Sequence, residues 1–276
     1  MSQECTDGNN RPNRLILVFP NADARSVNSR KAEIIEGVDG ALMEGVLFNS
    51  PERVQAALNQ GANPMVMKAW PLQTATEAGN MELLCLLLPL TDVAATGHRA
   101  LFYAAEFARY PEVISLLAAR ADQGTLDLAL CLTAASASAL PCAAALVDAG
   151  ADPKAYASRA LANALVHGRS SVAAMLFPMS DPRSWGEGDM TIDYGHPWGA
   201  LRLVATQGSV EGLARVLRMA SPPMEVLRGI LSASDSDGAS EEARHAIMEH
   251  ISAREAELLL DSLAGPRVDR PPARRV

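Results

Sequence analysis

The chain has 276 residues, of which 49% are apolar and only 4% aromatic, so alanine, leucine and valine must build most of its interior. Alanine and leucine are strong helix formers, which predicts an all-α protein. The net charge of −8 is uneven, because residues 1–31 carry +2 and residues 267–276 carry +3, which leaves −13 between them. An acidic body repels phosphate backbones, so we expect a partner with a basic surface and no nucleic acid.

The cysteines and the apolar runs indicate a cytoplasmic protein. Cys5, Cys85, Cys131 and Cys142 show no CxxC pairing and no metal-ligand spacing, which favours free thiols in a reducing compartment. The longest apolar run, LLCLLLPL at 83–90, is too short to span a bilayer, and the start of the chain lacks the apolar core of a signal peptide. No association with a membrane is expected.

Residues 1–36 differ in composition from the rest of the chain. The polar start, MSQECTDGNNRPNR, predicts a largely disordered segment, and LILVF at 15–19 indicates a short strand against the helices that follow. Two interpretations are open: an ordinary frayed terminus, or a secretion signal of the kind carried by bacterial type III effectors.

Five Asn or Asp residues then recur at nearly equal spacing. They stand at 63, 92, 122, 152 and 181, at intervals of 29, 30, 30 and 29 residues. Each follows a leucine- or alanine-rich stretch such as VQAALNQGAN (54–63) or AAALVDAGAD (143–152). Self-similarity with a period near 30 residues indicates stacked supersecondary units.

These units resemble ankyrin repeats. The segment WPLQTATEAGNMELLCLLL (70–88) is similar to the family's pattern of threonine-proline-leucine-histidine, two alanines, glycine and an apolar helix, and LNQGANP (58–64) and LVDAGADP (146–153) resemble its closing turn. Within the first segment Pro71, Leu72, Ala75 and Gly79 match, while Trp70, Gln73 and Thr76 depart.

The resemblance implies an ankyrin-like α-solenoid of six to seven stacked helix-turn-helix units, with the repeats over residues 37–222. Each unit then touches only its neighbours, through alanines on first helices and leucines on second helices. Gly61 and Gly150 are expected to end second helices in left-handed backbone. Pro51, Pro111 and Pro141 are expected at the starts of second helices.

The period breaks after Asp181, because the next matching turn comes at Ser221, forty residues on. The surplus of about ten residues lies in PRSWGEGDMTIDYGHPWG (182–199), an insertion whose tryptophans and tyrosine either contact a partner or cover an imperfect stack. Residues 223–265 predict a degenerate repeat with a polar helical cap, and 266–276 a disordered tail rich in arginine and proline.

Catalytic and metal-binding patterns are weak. His245 and His250 are five residues apart and so face different sides of a helix. Asp189, Asp193 and His196 could converge on a metal, but nothing in their spacing requires it. We therefore expect no enzyme, no cofactor and no metal site.

Ankyrin repeats bind ligands on their inner concave face, which is made of exposed positions of the first helices and the tips of the fingers between repeats. Transferred to this sequence, and extended with Trp185 and Tyr194 of the insertion, the resemblance implies a protein-binding surface made of Trp70, Glu77, His98, Glu106, Phe107, His167, Trp185, Tyr194, Trp198 and Gln207.

The expected function is stoichiometric binding of a protein by a monomer. Arginine outnumbers lysine 21 to 3, which fits either a GC-rich bacterial genome or loss of ubiquitin-acceptor lysines in a protein delivered into a host cell. The main hypothesis is a bacterial effector or host-targeted adaptor. The alternatives are an immunity or inhibitor protein that neutralises a toxin or enzyme, and an enzyme with an unrecognised site on the insertion.

Overall fold

The structure is a computed structural model that describes residues 14–20, 30–186, 197–237 and 240–264. Apart from two short strands near its beginning, the described chain is helical, as the composition predicts. Strands β1 (Arg14–Pro20) and β2 (Arg30–Glu36) pair antiparallel, with Leu15 opposite Ile35, and both contact the first helix. The interval 1–36 therefore holds two strands, and the rest of it lies outside the described residues, as do 266–276.

Fourteen α-helices occupy the described residues from 37 onward, and they follow one another as seven pairs. Their bounds are α1 Gly37–Leu47 and α2 Pro51–Asn59; α3 Val66–Ala78 and α4 Met81–Leu87; α5 Arg99–Phe107 and α6 Pro111–Ala118; α7 Gln123–Thr133 and α8 Ala139–Asp148; α9 Ala155–Val166 and α10 Ser170–Leu176; α11 Gly199–Gln207 and α12 Val210–Ala220; α13 Met224–Asp237 and α14 Glu241–Ala264.

The described residues fall into two compact units. The first lies within Met1–Thr133 and Pro141–Ala151, and the second within Ala134–Leu140 and Asp152–Val276. In the first unit, α1, α3, α5 and α7 contact one another in sequence, and α2, α4 and α6 do the same. In the second unit, α9 contacts α11, α11 contacts α13, and α12 contacts α14.

The first helix of each of the first six pairs contains a buried leucine that is followed by a common pattern of burial. These leucines are at most 2% exposed: Leu42, Leu72, Leu101, Leu130, Leu161 and Leu201. The residues three and four positions later are also buried, and most are small, such as Ala75 with Thr76 and Ala104 with Ala105. Small side chains let the backbones of neighbouring helices approach closely, which is why an interior with so few aromatic residues can be filled.

The two segments LNQGAN and LVDAGAD end their helices in the same way. The amide of Ala62 donates to the carbonyl of Ala57, and that of Ala151 to Leu146, both at 3.0 Å. The intervening Gly61 and Gly150 adopt φ of +90° and +104°, where glycine is favoured because a Cβ would be strained. The resemblance at the sequence level therefore reflects one hydrogen-bonded turn used twice.

The five recurring Asn and Asp residues perform one structural task. Each accepts, through its side-chain Oδ1, a hydrogen bond of 2.8–3.1 Å from the backbone N–H two or three residues later. Such turns explain the preference for Asn and Asp at these positions. The residues are Asn63, Asp92, Asp122, Asp152 and Asp181.

Left-handed backbone follows two of these turns. Residues 67–69 at the start of α3 and residues 156–158 at the start of α9 all have φ between +51° and +60°, although none is a glycine. Left-handed backbone costs a residue with a Cβ about 1 kcal/mol or more. The equivalent place before α5 holds Gly97 and His98, also left-handed.

Two of the three prolines predicted to begin second helices do so. Pro51 and Pro111 are the first residues of α2 and α6, while Pro141 is the third residue of α8. Near the end of α14, Leu258, Leu259 and Leu260 are each more than 60% exposed, so this part of the expected polar cap is apolar.

Candidate binding site on the first unit

The residues of the expected binding surface occupy very different environments. Glu77, Glu106, Phe107, His167 and Gln207 are exposed, Trp70 and Trp198 are half-buried, and His98 and Trp185 are buried. Tyr194 lies outside the described residues, as does the interval 187–196 of the insertion. The exposed members belong to both units.

Two of these residues, Glu77 and Phe107, line a groove between the C-terminal ends of α3 and α5, called the α3–α5 groove below. Its bottom is formed by Thr76 and Ala104, which are buried. Three residues that the sequence did not single out complete the lining, namely Tyr103, Arg109 and Tyr110.

The α3–α5 groove lies where the spacing between a first helix and its second helix differs between two successive pairs. In the second pair, Asn80, the N-cap of α4, follows the buried Leu72 by eight positions. In the third pair, Tyr110, the N-cap of α6, follows the buried Leu101 by nine. The ring of Tyr110 lies over Gly79, where a Cβ would meet three ring atoms at 2.6–2.8 Å. Gly79 is therefore required both by its φ of +67° and by the ring above it.

Aromatic side chains form an exposed cluster at the groove. The rings of Tyr103 and Phe107, one turn apart on α5, have centroids 4.6 Å apart and an angle of 42° between their planes. The guanidinium carbon of Arg109 lies 5.9 Å from the centroid of Phe107. Phe107 is 43% exposed and Tyr110 is 38% exposed, so a substantial apolar area faces solvent.

Charged side chains of both signs act on the groove. Burial raises the pKa of Tyr103, and its interaction with the carboxylate of Glu77 raises it further. The charge of Arg109 acts in the opposite direction, and that of Glu106 acts more weakly in the same direction as Glu77. Glu77 and Arg109 belong to the lining and balance each other, and Glu106, outside the lining, brings the sum of the three charges to −1.

His98 does not present a binding side chain, contrary to the expectation from the sequence. It is 9% exposed, immediately precedes α5 with a φ of +53°, and its Nε2 lies 3.9 Å from Oδ2 of Asp122. Hydrogen bonds from the backbone and side chain of Thr125 lower the pKa of Asp122, with a smaller contribution from His98. The imidazole therefore helps to join two successive turns of the first unit.

Trp185 is also a correction to the expected surface, because only 4% of it is exposed. Its carbonyl accepts a hydrogen bond of 2.7 Å from the amide of Trp198, and the Trp198 ring packs so closely on Gly186 that a Cβ there would lie 2.6 Å from it. The two ends of the insertion are thus held together. In this arrangement Trp185 fills the interior, and the half-buried Trp198 remains partly available to a partner.

The sequence contained one signal for the residues that were missed. Tyr110 follows Leu101 by nine positions, whereas Asn80 follows Leu72 by only eight. Such an irregularity between similar segments marks a place where a side chain can take a new direction. The sequence does not show that Tyr110 turns back over Gly79.

Comparisons with known proteins do not identify a relative. No protein-family model matches the chain, and neither does any curated protein. Within the part of the chain that the structure describes, no helix is long and apolar enough to cross a membrane, and no three His, Cys, Asp or Glu side chains are grouped as a metal site would need.

Proposed function

We propose that the chain is a protein-binding module built from ankyrin-like repeats stacked as a solenoid. Support comes from features that return in successive helix pairs: the buried leucine of the first helix, the Asn or Asp turn, and the left-handed ends of helices. Repeats of this kind offer extended surfaces rather than enclosed pockets, which suits recognition of another protein.

The observation that carries the proposal is the exposed α3–α5 groove, where aromatic rings stand beside carboxylates. Contiguous exposed apolar patches rimmed by polar residues often mark interaction sites. Such residues also supply much of the binding energy in protein interfaces. The acidic surroundings favour a protein partner with a basic surface, because complementary charge accelerates association and rejects acidic competitors.

The insertion at 182–199 is a second contact in this proposal. Its two described ends contact each other through Trp185, Gly186 and Trp198, and the Trp198 side chain is half-buried. As for biological setting, the scarcity of lysine favours a bacterial effector or host-targeted adaptor. An immunity or inhibitor protein would use the same groove.

Affinity capture followed by light scattering tests the proposal. The intact chain should retain a partner at a fixed stoichiometry from lysates of the producing bacterium or of a host cell. The double variant Glu77→Gln/Phe107→Ala should lose at least about tenfold in affinity, since each change removes roughly 1 kcal/mol or more of contact. The matched control Asp148→Asn/Leu90→Ala changes an exposed acid and an exposed apolar residue away from the groove and should bind like the parent.

Removal of residues 187–196 tests the second contact separately, because Trp185 and Trp198 stay in place. Failure of the intact chain to hold any protein at fixed stoichiometry in either lysate would contradict the proposed function.

A further inference from the structure

We propose that the α3–α5 groove takes a peptide segment of the partner in which an apolar side chain stands next to a lysine or arginine. The inference rests on the proposed function and names the chemistry of the partner at that site. It is argued from the shape of the groove, its exposed rings and its charges.

The shape favours a peptide over a small molecule. Small ligands need a concave site that buries most of their surface. The α3–α5 groove is bounded by side chains that are themselves exposed, so it covers a ligand from one side only. A peptide tolerates this because its chain continues along the neighbouring helices and makes further contacts there.

The rings provide the apolar half of the site. Phe107 and Tyr110 leave parts of their faces in water while Ala104, beneath them, is too small to fill the space. A leucine-sized side chain placed between the rings would remove this area from solvent, which is favourable in proportion to the apolar area covered.

The charges provide the basic half. The carboxylate of Glu77 lines the groove close enough to Tyr103 to raise its pKa, and its oxygens can accept hydrogen bonds from a donor on a ligand. Glu106 is exposed nearby, and Arg109 lies toward the Phe107 ring and offsets one of the two carboxylates. A cation on the peptide therefore meets a net attraction, whereas an anion in the same place meets a net repulsion.

Capped tetrapeptides test the inference directly. The probe is acetyl-Gly-Leu-Arg-Gly-amide, compared with the same peptide carrying Glu or Gln in place of Arg, each titrated into the full-length ¹⁵N-labelled protein. We expect the Arg peptide to give saturable shift changes confined to residues 76–79 and 103–110. The Arg peptide should bind at least about fivefold more tightly than the Gln peptide, and the Glu peptide should bind more weakly than the Gln peptide.

Two variants with matched controls locate the binding. Glu77→Gln should remove most of the preference for Arg, while Asp148→Asn, which removes an equal charge elsewhere on the first unit, should leave it intact. Phe107→Ala should weaken all three peptides, while Phe48→Ala, which removes an exposed ring at the same helical position in the first helix pair, should have no effect. Amide spectra of each variant check that the fold is retained.

The inference is overturned if the Arg peptide gives no saturable shifts up to about 10 mM, if the Glu peptide binds equally well, or if the shifts map outside the groove. If a protein partner is nevertheless captured at fixed stoichiometry, the proposed function stands and only the assignment of this groove fails.

Discussion

Gly79→Ala is the substitution whose energetic cost follows most directly from the structure. Its φ of +67° costs a residue with a Cβ about 1 kcal/mol. The added Cβ also lies 2.6 Å from the Tyr110 ring, which has to move away because no ring atom can remain at that distance. Since Tyr110 is already 38% exposed, the ring can swing outward, and the lost contact adds about 1 kcal/mol. The free energy of unfolding should therefore fall by about 2 kcal/mol.

Two comparisons separate these contributions. Gly97→Ala, in the same unit, has nearly the same φ of +61° and no described atom within 4 Å of the added Cβ, so only the backbone cost of about 1 kcal/mol is expected. In a Tyr110→Ala background, Gly79→Ala should likewise cost only about 1 kcal/mol, which gives a coupling of about 1 kcal/mol between the two positions.

Urea unfolding followed by far-ultraviolet circular dichroism measures all four variants, with unchanged m-values as the condition for comparing them. Equal costs for Gly79→Ala and Gly97→Ala, or no coupling to Tyr110, would refute the contact between the Tyr110 ring and Gly79 on which the description of the groove depends.

Three further predictions concern other parts of the chain. Ala157→Gly should stabilise the protein by about 1 kcal/mol because φ is +52° there, while Ala145→Gly within α8 should destabilise it by a similar amount; urea unfolding checks both. Iodoacetamide at pH 8 should modify exposed Cys85 at least about a hundredfold faster than Cys142, since burial raises the pKa of Cys142 to about 11. The native protein is labelled in the absence of urea, and peptide mapping of samples taken over time gives the rate at each cysteine. Burial lowers the pKa of His250 below its ordinary value of 6.5, so the unfolded chain binds a proton at this residue at a higher pH than the folded chain does. The free energy of unfolding should therefore decrease as the pH falls below 6.5. His250→Gln should make this decrease smaller in urea unfolding measured at several pH values.

The periodic part of the fold could be predicted from the sequence because it depends on local chemistry. Abundant alanine and leucine predict helices, and Asn or Asp at intervals of 29 or 30 residues predicts units that recur, each of which proves to begin with a turn in which the Asn or Asp side chain bonds to the backbone. Both signals act within a few residues, so they persist when the rest of a repeat has diverged.

The exposure of the residues expected to bind a partner was harder to predict, because it depends on contacts between residues far apart in the sequence. His98 stands at a position that is exposed in the family resembled, but a left-handed residue there turns its side chain toward Asp122. Trp185 is buried because the ends of the insertion are held together, which involves residues twelve or more positions apart. Neither arrangement leaves a periodic trace in the sequence.

The groove combines side chains of two successive helix pairs. Tyr110 follows the buried Leu101 by nine positions, whereas Asn80 follows Leu72 by eight. The ring of Tyr110 lies over Gly79, and Phe107 is exposed beside Glu77. The contact between Tyr110 and Gly79 joins two helix pairs, so it could not be predicted from the sequence of either pair alone.

Amide hydrogen exchange of the captured complex tests the role of the α3–α5 groove as a binding site most directly. Partner binding should slow exchange at residues 76–79 and 103–110 by at least about tenfold, while residues 83–90 of the same unit exchange as in the free chain. Unchanged exchange at the groove, with protection appearing at other positions of a complex of fixed stoichiometry, would contradict it.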